Sequence, residues 1–75
     1  MRVKITVKMN VDVDTAILEF SRIIDVVQLS KVEKSNIQLK RIVVARVLSY
    51  TAIMELRHNP LVESVEIFPS EYPIV

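Results

Sequence analysis

The chain has 75 residues, and its 10 Lys and Arg residues almost balance 9 Asp and Glu residues. A formal net charge of +1 gives no strong field that would attract phosphate backbones or anionic lipid. The absence of cysteine excludes disulfides, thiolate metal sites and cysteine nucleophiles. The length predicts one domain with a small aliphatic core, and we expect no cofactor and no metal.

The sequence contains no glycine, although an average chain of this length has roughly five. Phosphate-cradling loops, dinucleotide fingerprints and P-loops need backbone that approaches a ligand without a Cβ. Enzymes that use these devices are therefore excluded. The absence of glycine also fits a thermostable chain, because the unfolded chain then has less conformational entropy to lose on folding.

The first third predicts a strand followed by a helix. Residues 2–9 alternate between polar and apolar side chains, which is typical of a strand with one solvated face. Its apolar face is predicted to comprise Val3, Ile5, Val7 and Met9. Asp12 or Asp14 can cap the helix that follows, which is predicted to end near Asp25. The apolar positions at helical spacing are Ile17, Phe20, Ile23, Ile24 and Val27.

The middle of the chain predicts two strands joined by a polar turn. Residues 26–34 are predicted to form the second strand, with Leu29 and Val32 as its clearest apolar positions, and residues 33–36 are predicted to form the turn. The third strand is expected from about Leu39 to Leu48. Because its centre, residues 42–45, is apolar on both faces, we expect it to be a central strand.

The last third predicts a second helix and a fourth strand. Ser49 is a good N-cap, and the helix is expected to end at Asn59 and Pro60. Its buried stripe is predicted to be Ala52, Ile53 and Leu56. Residues 62–68 are predicted to form the fourth strand. The order β-α-β-β-α-β predicts an α+β ferredoxin-like split βαβ fold, with a four-stranded antiparallel sheet and both helices on one face.

The same fold serves many functions, so specific residues must decide between them. RNA recognition on such a sheet needs two or three exposed aromatics, and the strands offer only Phe68. The basic group Lys40, Arg41 and Arg46 is better explained by a solvated strand than by a nucleic-acid patch. No apolar run is long enough to span a bilayer. We therefore expect neither a nucleic-acid nor a membrane partner.

The sequence gives only weak indications of catalytic or metal-binding residues. His58 would need an orienting carboxylate and a nucleophile to act as a base, and the local sequence places neither. A surface histidine near the negative end of a helix dipole is the favoured interpretation. Asp12 and Asp14 lack the further oxygen ligands of a calcium loop, and helix capping explains them better. We expect no catalytic residue, and a protein that is not an enzyme.

Residues 56–66, Leu-Arg-His-Asn-Pro-Leu-Val-Glu-Ser-Val-Glu, resemble the end of the subtilisin-type propeptide family, the inhibitor I9 group. Members of that family share a pattern like L-R-x-x-P-x-V-x-x-V-E. Residues 43–47 with Ser49 resemble its third strand and helix start, and residues 15–20 sit where its first helix lies. The resemblance covers nearly the whole chain and implies residues 1–68 as a propeptide-like domain and residues 69–75 as an extended tail.

The resemblance implies a stand-alone inhibitor of a subtilisin-like serine protease that can also assist folding of that protease. In the family, the outer sheet face docks on two surface helices of the protease, and the tail enters the active-site cleft. By this resemblance Glu66 accepts hydrogen bonds from a protease helix N-terminus, Val75 takes the first subsite and Tyr72 the fourth. The implied protease-binding residues are Glu66, Phe68, Tyr72, Pro73, Ile74 and Val75.

The sequence departs from the family pattern in three respects. Phe68 stands where relatives often carry a second acidic residue, and Pro73 removes an N–H that an extended inhibitor donates to the cleft. A β-branched Ile74 or Val75 is also unusual at the first subsite. These departures concern the register of the tail in the cleft.

A second function remains open: a regulatory or oligomerisation module of the same fold, whose apolar outer sheet face pairs in a homodimer. The compartment depends on the start of the chain. We expect a cytoplasmic protein if Met1 is the native start, and otherwise a segment of a secreted protease precursor.

Overall fold

The computed structural model describes residues 1–32 and 41–68. Six elements follow one another in the predicted order β-α-β-β-α-β and form the predicted α+β ferredoxin-like arrangement. Their bounds are β1 Arg2–Val7, α1 Val13–Phe20, β2 Val26–Lys31, β3 Ile42–Val47, α2 Tyr50–Arg57 and β4 Val62–Ile67. Among the described residues no helix is long and apolar enough to cross a membrane.

The four strands form one antiparallel sheet in the order β2-β3-β1-β4. The prediction of a central third strand is therefore confirmed, and β1 lies beside it. Val3 is opposite Ala45 on one side and Ile67 on the other, and Ile5 is opposite Val43 and Val65. Since side chains alternate along a strand, these residues share one face of the sheet.

Both helices pack on that face and form a single aliphatic core with it. From the helices the core takes Ala16 and Phe20 of α1 and the predicted stripe Ala52, Ile53 and Leu56 of α2. From the strands it takes Val3, Ile5, Val7, Val26, Val43, Ala45, Val47, Val62 and Val65. Removing this apolar surface from water is the main stabilising contribution available to so small a chain.

Side-chain caps fix the start of each helix, as the sequence predicts. The Asp12 carboxylate accepts hydrogen bonds from the Thr15 backbone N–H at 3.0 Å and from the Thr15 hydroxyl at 3.1 Å. The Ser49 hydroxyl accepts from the Ala52 backbone N–H at 3.3 Å. Each cap satisfies an N–H group that has no partner within its helix.

The prediction that Met9 extends the apolar face of β1 is wrong. β1 ends at Val7, and the Met9 side chain is 77% exposed. The Lys8 backbone N–H still donates to the Leu61 carbonyl at 2.9 Å, but the Lys8 carbonyl accepts from the Val11 N–H at 3.1 Å. This turn ends the alternation of the strand, so Met9 points away from the core.

The predicted end of α1 near Asp25 is also wrong, because α1 ends at Phe20. The N–H groups of Arg22 and Ile23 donate to carbonyls only three residues back, at 3.2 and 3.0 Å, which tightens the chain into turns. Asp25 then adopts a left-handed φ of 72°. As a result Ile24 is 80% exposed instead of buried, and Val27, 37% exposed, belongs to β2.

β2 is shorter and less regular than predicted. It ends at Lys31, and its register against β3 shifts between Val27 and Ser30, where Gln28 has a φ of 55°. Its buried residue is Val26, while the predicted apolar positions Leu29 and Val32 are half-buried. The predicted turn at residues 33–36 and Leu39 lie outside the described residues. β3 begins at Ile42 and does not include Arg41, so the third strand starts later than predicted.

β3 and β4 each end one residue earlier than predicted. β3 ends at Val47, and Leu48 beyond it is 61% exposed. β4 ends at Ile67, yet the Phe68 N–H still donates to the Arg2 carbonyl at 3.0 Å. The sheet pairing therefore continues up to the residue that precedes residues 69–75.

Candidate functional site

The sheet surface opposite the helices is the candidate site, and we call it the open face. The register of the strands places three rows of side chains on it. From the end of the sheet nearest Met1, the rows are Val27, Arg46, Arg2 and Phe68; then Ser30, Val44, Lys4 and Glu66; then Val32, Ile42, Thr6 and Ser64.

An apolar strip covers the β2–β3 half of the open face, towards the end of the sheet away from Met1. Val32, Ile42 and Val44 are half-buried there, and the Val32 N–H donates to the Ile42 carbonyl at 3.2 Å. The half-buried apolar residues that pack against the core form a separate set: Val11, Val13, Ile17, Ile23, Leu29 and Leu61. Contiguous apolar surface that the core does not use is suited to a protein partner.

Glu66 lies on the open face in β4, which is at the edge of the sheet as the described residues form it. Lys4 lies opposite it in the register, and Lys4 Nζ is 2.8 Å from Glu66 Oε1. The Glu66 side chain is 66% exposed and that of Lys4 37%. An ion pair this exposed contributes little to stability, and the exposed carboxylate remains able to accept hydrogen bonds from a partner.

Phe68 follows β4 on the same face. Its backbone N–H donates to the Arg2 carbonyl, and the guanidinium carbon of Arg2 lies 5.4 Å from the centre of its ring, a cation–π distance. The ring is half-buried. These two contacts hold Phe68 against β1 at the point where the chain enters residues 69–75.

An open concavity of about 440 Å³ lies along the last residues of β4. It is lined by Lys4, Arg57, Val65, Glu66, Ile67 and Phe68. The last turn of α2 supplies Arg57, and β4 with the residue after it supplies most of the rest. Lys4, Arg57 and Glu66 therefore all line the concavity, and Lys4 forms the ion pair with Glu66.

Two of the residues implied as protease-binding, Glu66 and Phe68, are brought together on one face. Tyr72, Pro73, Ile74 and Val75 lie outside the described residues. Sequence reasoning missed Lys4, Arg2 and Arg57 as members of this region. The alternation of β1 placed Lys4 and Arg2 on its solvated face, but their proximity to Glu66 and Phe68 depends on the register between strands.

The other candidate residues are explained by local structure. His58 Nδ1 is 2.8 Å from the Met54 carbonyl oxygen at the end of α2. Asp12 caps α1, and Asp14 Oδ1 is 3.1 Å from Lys31 Nζ. Within residues 1–32 and 41–68, no group of three or more His, Cys, Asp or Glu side chains could hold a metal ion.

The predicted basic group does not assemble in the described part of the chain. Arg41 Nε donates to the Val7 carbonyl at 3.0 Å, and its Nη2 donates to the Glu63 carboxylate, so this side chain spans β1 to reach β4. Arg46 lies on the open face instead, opposite Arg2. Lys40 lies outside the described residues.

Comparisons of the chain with protein-family models, with curated proteins and with solved structures gave no match. The open face and the pattern of residues 56–66 are therefore the grounds on which a function is proposed.

Proposed function

We propose that the chain is a non-enzymatic inhibitor of a subtilisin-like serine protease. It docks the open face on the protease and inserts residues 69–75 into the active-site cleft. The observation that carries the proposal is the common position of Glu66 and Phe68 on the open face, at the end of β4 from which residues 69–75 continue.

The open face supplies the surface that such docking needs. The apolar strip of Val32, Ile42 and Val44 gives area to bury against a partner, and the polar residues around it resemble the rim of a protein interface. At the β4 edge of the open face, the exposed carboxylate of Glu66 suits the positive end of a partner's helix.

Residues 69–75 supply the part that would enter the cleft. In this proposal they add as a strand to the cleft edges, with backbone hydrogen bonds giving affinity and Tyr72, Ile74 and Val75 filling pockets. Pro69 and Pro73 restrict the free chain, so less conformational entropy is lost on docking. A chain that binds the folded protease in this way also stabilises it and can assist its folding.

The experiment is steady-state inhibition of a panel of subtilisin-like serine proteases by the full chain and by a variant that lacks residues 72–75. We expect the full chain to inhibit at least one protease competitively. The truncated variant should lose at least about 100-fold in affinity, which is about 2.7 kcal/mol, with an unchanged thermal unfolding midpoint. Absence of inhibition across the panel would overturn the proposal.

The apolar strip favours one second candidate, a homodimer in which two open faces pair as in an oligomerisation or regulatory module. Sizing chromatography separates the two functions. A dimer formed by the open face should persist without residues 72–75 and dissociate in a Val44→Lys variant, because a charge within the strip would be desolvated. A monomeric wild-type chain at high concentration excludes this candidate.

A further inference from the structure

Two arginines face each other across β1 and β3 on the open face. Arg2 is opposite Arg46, and both are exposed. The neighbouring pair Met1 and Val47 exchanges both backbone hydrogen bonds, at 2.9 and 2.7 Å. Arg2 and Arg46 therefore occupy a non-hydrogen-bonded pair, in which side chains approach most closely. Like charges directly opposite in a sheet are destabilising.

Within residues 1–32 and 41–68, neither arginine forms an ion pair. The cations that do so are Lys4, Arg22, Lys31 and Arg41. Arg2 is over the Phe68 ring, and Arg46 has Val27 as its neighbour in β2. We call Val27, Arg46, Arg2 and Phe68 the arginine row: two adjacent guanidiniums between two apolar side chains.

The position of the arginine row indicates which partner it suits. In the next row Lys4 is neutralised by Glu66, so the unneutralised charge of the described open face is concentrated at the end from which residues 69–75 continue. Guanidinium groups bind carboxylates in a bidentate manner and are weakly hydrated, which favours them in protein interfaces. A nucleic-acid track would need a longer run of cations and more aromatics.

We propose that the arginine row binds carboxylates on the surface of the protease partner and selects which subtilisin-like proteases the chain inhibits. This proposal rests on the proposed function and extends it, since it assigns the partner an acidic patch beside its active-site cleft. The stability lost by the like-charge pair is recovered when the partner's carboxylates lie between the two guanidiniums.

The test compares inhibition by the wild-type chain, Arg2→Gln/Arg46→Gln and Arg2→Glu/Arg46→Glu at low and high salt. The control, Lys8→Gln/Arg22→Gln, removes the same charge away from the row. We expect the neutral variant to lose about tenfold in affinity at low salt, mainly in association rate, and less at high salt. The acidic variant should lose about 100-fold, and the control should inhibit like the wild type.

Thermal unfolding of the same variants decides whether the arginines serve the fold instead. We expect Arg2→Gln/Arg46→Gln to unfold at the wild-type temperature or above it, because a repulsion is removed. A midpoint below that of the control would show that the arginines stabilise the fold, through an internal counter-ion or the contact of Arg2 with Phe68, and would overturn the proposal. Wild-type affinity and salt dependence in this variant would also overturn it, while leaving the proposed function intact.

If the wild-type chain inhibits no protease, the proposed function fails, and carboxylate binding by the arginine row is tested separately. An NMR titration with oligoglutamate, and with a single-stranded oligonucleotide in parallel, follows the Nε–H signals of Arg2 and Arg46. Shifts of both signals with oligoglutamate support carboxylate binding. No shift, or tighter binding of the oligonucleotide, overturns the assignment of an acidic protein partner.

Discussion

The Asp12 carboxylate fixes where α1 begins, since it accepts hydrogen bonds from both the backbone and the side chain of Thr15. Such a cap was predictable because aspartate, a local signal, stands directly before the helical pattern. The contacts of Glu66 were not predictable in the same way. Glu66 meets Lys4 only through the pairing of β1 with β4, which joins residues far apart in the chain.

Replacing Asp12 with alanine should lower the free energy of unfolding by about 1 kcal/mol, because α1 loses its cap. Asp12→Asn retains a capping oxygen and should unfold at nearly the wild-type denaturant concentration. Urea denaturation followed by circular dichroism measures both. Equal losses in the two variants would mean that capping is not what Asp12 contributes.

Glu66→Gln should change stability by less than about 0.5 kcal/mol, because the Lys4–Glu66 pair is largely exposed. In the proposed function the same change weakens protease inhibition by about tenfold, since the partner's helix end loses a charged acceptor. Glu55→Gln on the exposed side of α2 is the matched control and should inhibit like the wild type. Inhibition by Glu66→Gln that equals that of Glu55→Gln would remove Glu66 from the interface.

At the scale of elements, periodicity predicted most of the fold and failed where the backbone turns without glycine. α2 and the pairing faces of β1 and β3 followed from local spacing. The end of α1 did not, because Ile23 and Ile24 continue its apolar spacing while Asp25 turns with a positive φ. The irregularity of β2 at Gln28 was also hidden, since glycine or asparagine is the usual signal for a left-handed residue.

The left-handed backbone of Gln28 predicts a position-specific response. A β-branched side chain fits that conformation poorly, so Gln28→Val should lower the free energy of unfolding by about 1–2 kcal/mol. Gln28→Asn should be neutral or stabilising. Ser30→Val, an exposed change in the same strand, should be tolerated. Equal free energies of unfolding for Gln28→Val and Ser30→Val, measured by chemical denaturation, would contradict the left-handed conformation.

The two helices allow a matched comparison of buried and exposed leucine. Leu56 in α2 is 0% exposed and Leu18 in α1 is 66% exposed. Leu56→Ala should lower the free energy of unfolding by about 2–5 kcal/mol through a cavity in the core, and Leu18→Ala by less than about 0.5 kcal/mol. If Leu56→Ala does not fold, Ile53→Val, expected to lose about 0.5–1.5 kcal/mol, serves in its place. Equal losses at the buried and exposed positions would contradict the packing of α2.

At the scale of the whole molecule, the sheet separates two kinds of apolar surface. One side forms the core with both helices, and the other is the open face, with its apolar strip and Glu66. Alternation along the strands predicted that such a face exists. Its pattern of neighbours, with Lys4 beside Glu66 and Arg2 beside Arg46, required the strand register, which single-strand periodicity does not contain.

The central claim is that the open face docks on a subtilisin-like protease. Methyl NMR of the labelled chain, titrated with a protease whose catalytic serine is replaced by alanine, tests it most directly. We predict that the methyl signals of Val32, Ile42 and Val44 shift or broaden on complex formation, while those of Leu18, exposed on α1, stay unchanged. Perturbation of Leu18 without perturbation of the open face, or no complex with any protease of the panel, would contradict the claim.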